Sequence, residues 1–464
     1  VYVGALETVN DDSKGTDEKD DRADFDLVVI GTGEAGPAMA RRCRREGWYV
    51  AVADERLYGG TCGQRGCVPK KVLHGAATTI DLARRLADHG VAGDSRIDWP
   101  ALMRFKRSFT DEVAPRREEM MAERGIVRLH GHAEFTGPNE LRVGSATVRA
   151  RFIGIATGST PRPLGVPGDD LVLSSEDFLA LESLPRRLVF IGGGFISFEF
   201  GFIAAAAGAE VTILHRSGRV LKEFDPFLVD LLVAGCEERG VRVEVHAPLT
   251  GVERRDDELV VRSGDSSFPA DAVVHGAGRV PKTSDLALER AGIRADSRGI
   301  VVNEYLQSVT NPSVYVAGDA NPRGRMLSPV AHRDGLVAAE NMLYGNAVAP
   351  DYSVIPTAVF THPALASVGL GVEEAKRRGI VPSVYQADTR DWFTTRRLRI
   401  PCSGYTVITD GPMGPVLGAH VLGDNADEMI NVFTLAINKE VPLAELVQTI
   451  WAYPTAGHDI RRIR

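Results

Sequence analysis

Two stretches of this chain repeat one pattern: an apolar run, a glycine turn, a helical stretch and a second apolar run. The first reads DLVVIGTGEAGPAMARRCRREGWYVAVAD from Asp26, and the second reads RLVFIGGGFISFEFGFIAAAAGAEVTILHR from Arg187. Each is the text of a strand, a crossover helix and a parallel strand. Gly31, Gly33 and Gly36 fit the spacing in which one glycine makes the tight turn, one admits a pyrophosphate and one lets the helix approach the strand. The helix N-terminus then faces phosphate. Asp54 follows Gly31 by 23 positions and is placed to accept hydrogen bonds from ribose hydroxyls. The second copy has Gly192, Gly194 and Ser197 in the three places, so the chain is expected to carry two dinucleotide folds.

The second copy ends differently. His215 stands where Asp54 stands in the first, and Arg216, Arg219 and Lys222 follow it. An acid repels a 2′-phosphate and clustered cations neutralise one, so this site is expected to take NADPH rather than NADH. After about residue 346 no further fingerprint occurs. Segments such as AVFTHPALASVGL and AELVQTIWAYPT suggest a third, α+β region.

Composition removes other classes. A net charge of -8, from 54 basic and 62 acidic side chains, opposes nucleic acid and anionic membrane as partners. The longest apolar stretch, Leu188 to Ala209, is rich in glycine and carries Glu199, so no membrane span is expected. Five cysteines in 464 residues are too few for a disulfide scaffold and fit a reducing cytoplasm. Residues 1–25 are acidic, lack the basic start and apolar run of a secretory signal, and read as a disordered tail.

Two cysteines stand out. In GGTCGQRGCVPKKVLHGAA, four residues separate Cys62 from Cys67, a spacing that closes a small ring if the backbone bends suitably. A loop entering a helix near Cys67, with Lys70 or Lys71 close by, would stabilise a thiolate. The alternatives are two unpaired buried cysteines or half of a zinc site. Zinc would need a second ligand pair, and no Cys or His spacing supplies one, so no metal is expected. His130 and His132 would share one face of a strand, but two ligands alone do not hold a metal. Cys43, Cys236 and Cys402 read as small buried hydrophobes.

With these motifs stand ATGSTPRP at 156–163, GAGRVP at 276–281, VYVAGD at 314–319 and LSPVAHRDG at 327–335. Their order from Asp26 onward resembles the flavoprotein disulfide reductases that include glutathione reductase, lipoamide dehydrogenase and mercuric reductase. The resemblance implies two Rossmann-like folds and a C-terminal α+β dimerisation domain. It places an FAD domain at 26–165 and 285–345, an NAD(P)H domain at 166–284 and the dimer interface at 346–464. It implies cofactor contacts from Gly60, Thr61, Lys70, Lys71, Thr157, Gly158, Gly278, Arg279, Gly318, Asp319, Pro329 and Ala331. Glu199 would pair with a lysine of the PKK segment beside the flavin. Phe195 takes the place of an aromatic lid, or is simply core.

The chemistry implied runs from NADPH through FAD to a Cys62–Cys67 disulfide and then to a small disulfide or another two-electron acceptor, in a cytoplasmic homodimer. Cys67 would face the flavin and Cys62 would attack the acceptor. Many relatives end in a His-Pro-Thr motif followed by a glutamate, whereas this chain has Tyr453-Pro454-Thr455-Ala456-Gly457-His458. An ordinary tyrosine titrates near ~10 and shuttles protons less well at neutral pH than imidazole near ~6.5. That change and the basic turn argue against lipoamide turnover. Mercuric reductases share the tyrosine but carry a C-terminal cysteine pair that this chain lacks. A diaphorase passing electrons directly to quinone or oxygen is the other alternative. Tyr453 is a proton donor, an acceptor-site hydroxyl or an interface side chain, and His458 would orient it. His332 is a weaker candidate for proton work.

Overall fold

The computed structural model describes residues 24–464. The expected acidic tail lies outside them, apart from its last two positions.

FDLVVI at Phe25–Ile30 is apolar except for Asp26, because it lies inside a sheet covered on both faces. It pairs in parallel with Val50–Asp54 on one side and with residues 150–155 of Ala146–Ile155 on the other. Val127–His130 extends one edge, and Val314–Val316 pairs with the end of Ala146–Ile155. The strand order switches sides at Phe25–Ile30, so a crevice forms at the carboxyl ends of these parallel strands. Helix Ala35–Arg45 buries Ala35, Met39 and Cys43 on one face and keeps Arg42 and Arg45 outside it. It lies against helix Ser328–Tyr344 so closely that a Cβ on Gly335 would stand 2.3 Å from Ala35 O.

The second parallel sheet runs Val241–Glu244, Glu210–Leu214, Arg187–Ile191, Ala272–His275, with helix Phe195–Ala206 packed on it. ATGSTPRP and GAGRVP join the two nucleotide folds, since Ser159–Pro161 and Arg279–Pro281 form a two-stranded antiparallel ladder. The C-terminal region is a five-stranded antiparallel sheet under helix Ala426–Asn438. One apolar core joins the three regions, bringing Leu73, Phe198, Phe202, Val359 and Leu422 together. The observed class is the expected one: mixed α/β, with two nucleotide-type sheets and a third α+β region. Among the described residues, no helix is long and apolar enough to cross a membrane.

Two local expectations fail. His130 is the last residue of its strand, and Gly131, at φ 136°, turns the chain before His132. The two imidazoles therefore part: His130 stacks on Tyr58, while His132 Nδ1 meets Glu55 at 2.9 Å. Phe195 is not core, because it is 51% exposed at the start of its helix.

Candidate active site

The first glycine turn has no room for a side chain at Gly31 or at Gly36. A Cβ on Gly31 would stand 2.2 Å from Ala156 O, and one on Gly36 2.0 Å from Gly31 O. A Cβ on Gly60 would stand 2.4 Å from Gly33 Cα, so the turn before the cysteines packs directly on the nucleotide turn. Asp54 fixes this arrangement by accepting Thr32 N–H at 2.9 Å and Thr32 Oγ–H at 2.6 Å. Helix Ala35–Arg45 has no side-chain cap, and Glu34 at its start turns instead to Arg117 at 3.0 Å. Its first N–H groups therefore suit an anion. The geometry of this cradle fits a dinucleotide pyrophosphate, which the Gly31–Gly33 turn would hold with Asp54 behind it.

Asp319 lies in the short turn Gly318–Ala320 and accepts Ser159 Oγ–H at 2.9 Å, while Arg279 donates to the same hydroxyl at 2.8 Å. Burial raises the Asp319 carboxyl above its ordinary value. Asp334, which sequence reasoning missed, braces this turn: it accepts from Gly318 N–H, the Asn321 amide and Tyr352 O–H at 3.3, 2.9 and 2.7 Å. Thr157 Oγ–H donates to Lys282 O at 2.6 Å, and Gly158 O accepts Lys282 N–H at 3.0 Å. Pro329 and Ala331 lie in the first turn of helix Ser328–Tyr344.

The cysteine segment is more helical than expected. Gly60–Arg65 is a short helix carrying Thr61 and Cys62, and after Gly66 a second helix, Cys67–Arg85, begins at Cys67 itself. No side chain caps it. Both cysteines are free thiols, Cys67 exposed and Cys62 half-buried. Interaction with the Cys62 thiol, helped by Ser328 and Lys70, lowers the Cys67 thiol to about 6 against the cost of partial desolvation. The same contact and burial push Cys62 well above the ordinary thiol range. The direction of both shifts favours a thiolate on Cys67 over one on Cys62. Ser328, whose Oγ lies 3.6 Å from Cys67 Sγ, opens the LSPVAHRDG motif but carries no chemical signal in the sequence.

One turn further along, Lys70 Nζ lies 3.0 Å from Glu199 Oε1, with both side chains buried. Glu199 also accepts Phe360 N–H at 2.9 Å. Lys71 instead reaches Asp427 at 3.3 Å, and both ammonium groups lie over the Phe360 ring at 3.9 and 3.7 Å. Lys70 is therefore the lysine of the segment that pairs with Glu199. Phe360 and Asp427 come from the C-terminal region, and nothing in the local sequence marks them.

In the second fold a Cβ on Gly192 would stand 2.5 Å from Gly276 O. Gly194 precedes an uncapped helix whose Ser197 is wholly buried. Arg216, Arg219 and Lys222 are exposed, Arg219 donating to Phe224 O at 3.2 Å. Gly278 O accepts Arg162 N–H at 3.0 Å.

Tyr453 is 73% exposed and meets His458 ring edge to face at 4.8 Å between centroids. The contact between Tyr453 and His458 is thus one between rings. His332 is half-buried on helix Ser328–Tyr344. Cys43, Cys236 and Cys402 are buried, and burial raises their thiols to about 12, 12 and 11.

Residues 25–335 match the model of the pyridine nucleotide-disulphide oxidoreductases, and residues 355–463 match the dimerisation domain of the same family. A glutathione reductase of Burkholderia cepacia is 32% identical over 95% of this chain and 98% of its own. A dihydrolipoyl dehydrogenase of Chlamydia pneumoniae is 29% identical over 93% and 94%, and a mercuric reductase of Bacillus cereus 30% over 94% and 70%. Among solved structures, the HOCl-induced flavoprotein disulfide reductase of Escherichia coli superposes with a TM-score of 0.85 at 25% identity, covering 95% of this chain and 99% of that one. Its copper(II) complex matches with the same score over 95% and 98%. The glycine cradle, the cysteine pair and the buried Lys70–Glu199 contact thus belong to an FAD-dependent enzyme of the pyridine nucleotide-disulphide oxidoreductase family.

Proposed function

We propose that the chain is a cytoplasmic, homodimeric NADPH-dependent reductase whose Cys62–Cys67 pair passes electrons to a small disulfide. The observation that carries this reading is the placing of Cys62 and Cys67 across one short turn, with Cys67 opening an uncapped helix beside Ser328. Bound FAD supplies two-electron transfer between a reduced nicotinamide and this pair. Residues 26–165 and 285–345 would hold FAD, 166–284 would hold NADPH, and 346–464 would meet a second copy. Exposed Leu435, Ile450 and Tyr453 in the last region support that dimer.

Ser328 Oγ lies beside Cys67 Sγ, and Cys62 is the sulfur left to engage the acceptor once it has given up its proton. Overall, NADPH and one proton convert one disulfide into two thiols, and the nicotinamide leaves oxidised. Lys70 and Glu199 hold fixed charge beneath this site. The cationic turn Arg216–Lys222 supports NADPH: it holds no acid, and Glu223, which follows it, turns to Arg325 at 3.8 Å.

Tyr453 favours a second reading of the acceptor. A metal ion or a quinone has no thiol leaving group to protonate, so it needs no imidazole at this position. A metal ion would then be the substrate.

Anaerobic NADPH addition to the air-oxidised holoenzyme, followed by alkylation and peptide mass analysis, tests the relay. It should expose two new thiols, at Cys62 and Cys67. Unchanged NADPH-dependent disulfide reduction in Cys62→Ala would overturn it.

A further inference from the structure

The second glycine turn is closed by a neutral ring where the first is closed by a carboxylate. Gly193 N–H donates to His215 Nδ1 at 3.0 Å. A backbone N–H can only donate, so Nδ1 presents its lone pair and the ring proton sits on Nε2, 2.9 Å from Ser217 Oγ. The imidazole is thus fixed at both nitrogens.

The surrounding backbone leaves this ring little freedom. A Cβ on Gly193 would stand 2.9 Å from the His215 ring and 2.4 Å from Val220 Cγ1. Gly193 O accepts Leu221 N–H at 2.8 Å, tying the glycine turn to the cationic turn. His215 N–H donates to Glu244 O, and its own carbonyl accepts Ala247 N–H, both at 2.8 Å. The charged and titratable groups around it are Arg216, Arg219 and Lys222 on its own turn, and Glu244 and His246 on the neighbouring segment. Glu244 is engaged by Arg242 at 2.5 Å, and His246 packs on Gly218, where a Cβ would stand 2.7 Å from Nε2. Burial, with repulsion from Lys222 and Arg216, holds His215 below its ordinary value despite an opposing contact with the Arg219 backbone. The ring is therefore neutral at pH 7.

An acid here would close the turn equally well but set a negative charge beside Arg216 and Lys222. An aliphatic side chain would spare the charge and strand the Gly193 N–H. Histidine avoids both defects. Resting on the NADPH reading above, we propose that His215 is a specificity-determining positioning residue. Its neutral nitrogen holds the Gly192–Gly194 turn while leaving the adjoining cations free for a 2′-phosphate.

Equilibrium binding of NADP+ and NAD+ to the holoenzyme and to three variants tests this. His215→Asn keeps an uncharged acceptor and should retain both affinities within about threefold. His215→Asp keeps the acceptor but adds charge, and should weaken NADP+ by about tenfold or more while NAD+ does not weaken. His215→Leu should weaken both nucleotides by a similar factor. An unchanged NADP+ to NAD+ ratio in His215→Asp, or wild-type affinities in His215→Leu, would overturn the inference. A wild-type enzyme with no preference for NADP+ would instead overturn the NADPH reading. His215→Asn serves as the folded reference, so failure of His215→Leu alone to fold, while His215→Asn binds normally, still supports the acceptor role.

Discussion

The Ser197 hydroxyl occupies the space that a side chain on Gly276 would need: a Cβ there would stand 2.0 Å from Ser197 Oγ. The third position of the second fingerprint can be serine because the facing strand end supplies the missing glycine. The same Oγ is buried without a hydrogen-bond partner among the described residues. Gly276→Ala should therefore cost about 1–3 kcal/mol in urea unfolding. Adding Ser197→Ala should recover part of that cost, because it removes the clashing atom and strands no partner. Strict additivity of the two changes would show that the serine and glycine do not share this space.

Glu199 offers a different balance. It holds the buried Lys70 ammonium at 3.0 Å and the Phe360 N–H at 2.9 Å. Glu199→Ala leaves a buried charge and a backbone donor unpaired, and should destabilise the protein by about 3–5 kcal/mol. Glu199→Gln keeps an oxygen for both donors and should cost less. Thermal unfolding of the two variants, read beside the rate of NADPH-dependent FAD bleaching, separates lost stability from lost tuning of the site. Equal unfolding temperatures for Ala and Gln would refute this account.

Cys67 should react as a thiolate well below the ordinary cysteine range. Its thiol is lowered to about 6 by interaction with the Cys62 thiol, with Ser328 and Lys70 assisting. The iodoacetamide alkylation rate at Cys67 in the reduced apoprotein should rise with pH through a midpoint near that value. Removing a donor disfavours the thiolate, so Ser328→Ala and Cys62→Ala should each move the midpoint upward, Cys62→Ala by more. A midpoint near ~8.5 in the unmodified protein would remove the basis for a thiolate favoured on Cys67.

Acid should weaken the contact between the cysteine helix and the C-terminal region. His74 and His362 are both lowered to about 4, chiefly by burial. His362 Nε2 lies 3.3 Å from Asp81 and also meets the Arg85 guanidinium, on the helix that starts at Cys67. In the unfolded chain each imidazole titrates near ~6.5. Between these values the unfolded chain binds more protons, so stability is full above the upper value and falls as pH drops toward the lower one. The slope should approach about 1.4 kcal/mol per pH unit for each histidine. Urea unfolding at pH 5 and pH 7 measures it, and His362→Asn should flatten it. A slope indifferent to both histidines would assign the acid sensitivity to other groups.

What the sequence made legible was local. Gly31, Gly36 and Asp54 follow from spacing because one strand, turn and helix impose their contacts, and the Cys62–Cys67 pair follows because its chemistry lies within six residues. Ser328, Phe360 and Asp334 were not legible. Cys67 meets Ser328 across 261 positions, and Glu199 meets the Phe360 N–H across 161. A backbone N–H has no residue type to betray it. His215 lay between these cases, since its position was visible but its role as a neutral acceptor needed the Gly193 contact. Phe195 read as lid or core, and only its exposure removes the core reading.

Tyr453 is the residue through which the choice of acceptor is best tested. It is exposed on the chain, beside His458 and near the end of the region that matches a dimerisation domain. If it stands at the acceptor site of a partner subunit, its weakly acidic hydroxyl limits disulfides whose leaving thiolate must be protonated at neutral pH. Tyr453→His should then raise turnover of glutathione disulfide by roughly 10²-fold at pH 7, while quinone turnover changes little because no thiolate leaves. Tyr453→Phe should depress neither by more than about threefold if the hydroxyl is not the proton donor. Steady-state rates with both acceptors across pH 6 to 9 measure this. An unchanged glutathione disulfide rate in Tyr453→His would mean that proton supply is not limiting, and that the acceptor is selected by the shape of the site around Cys62.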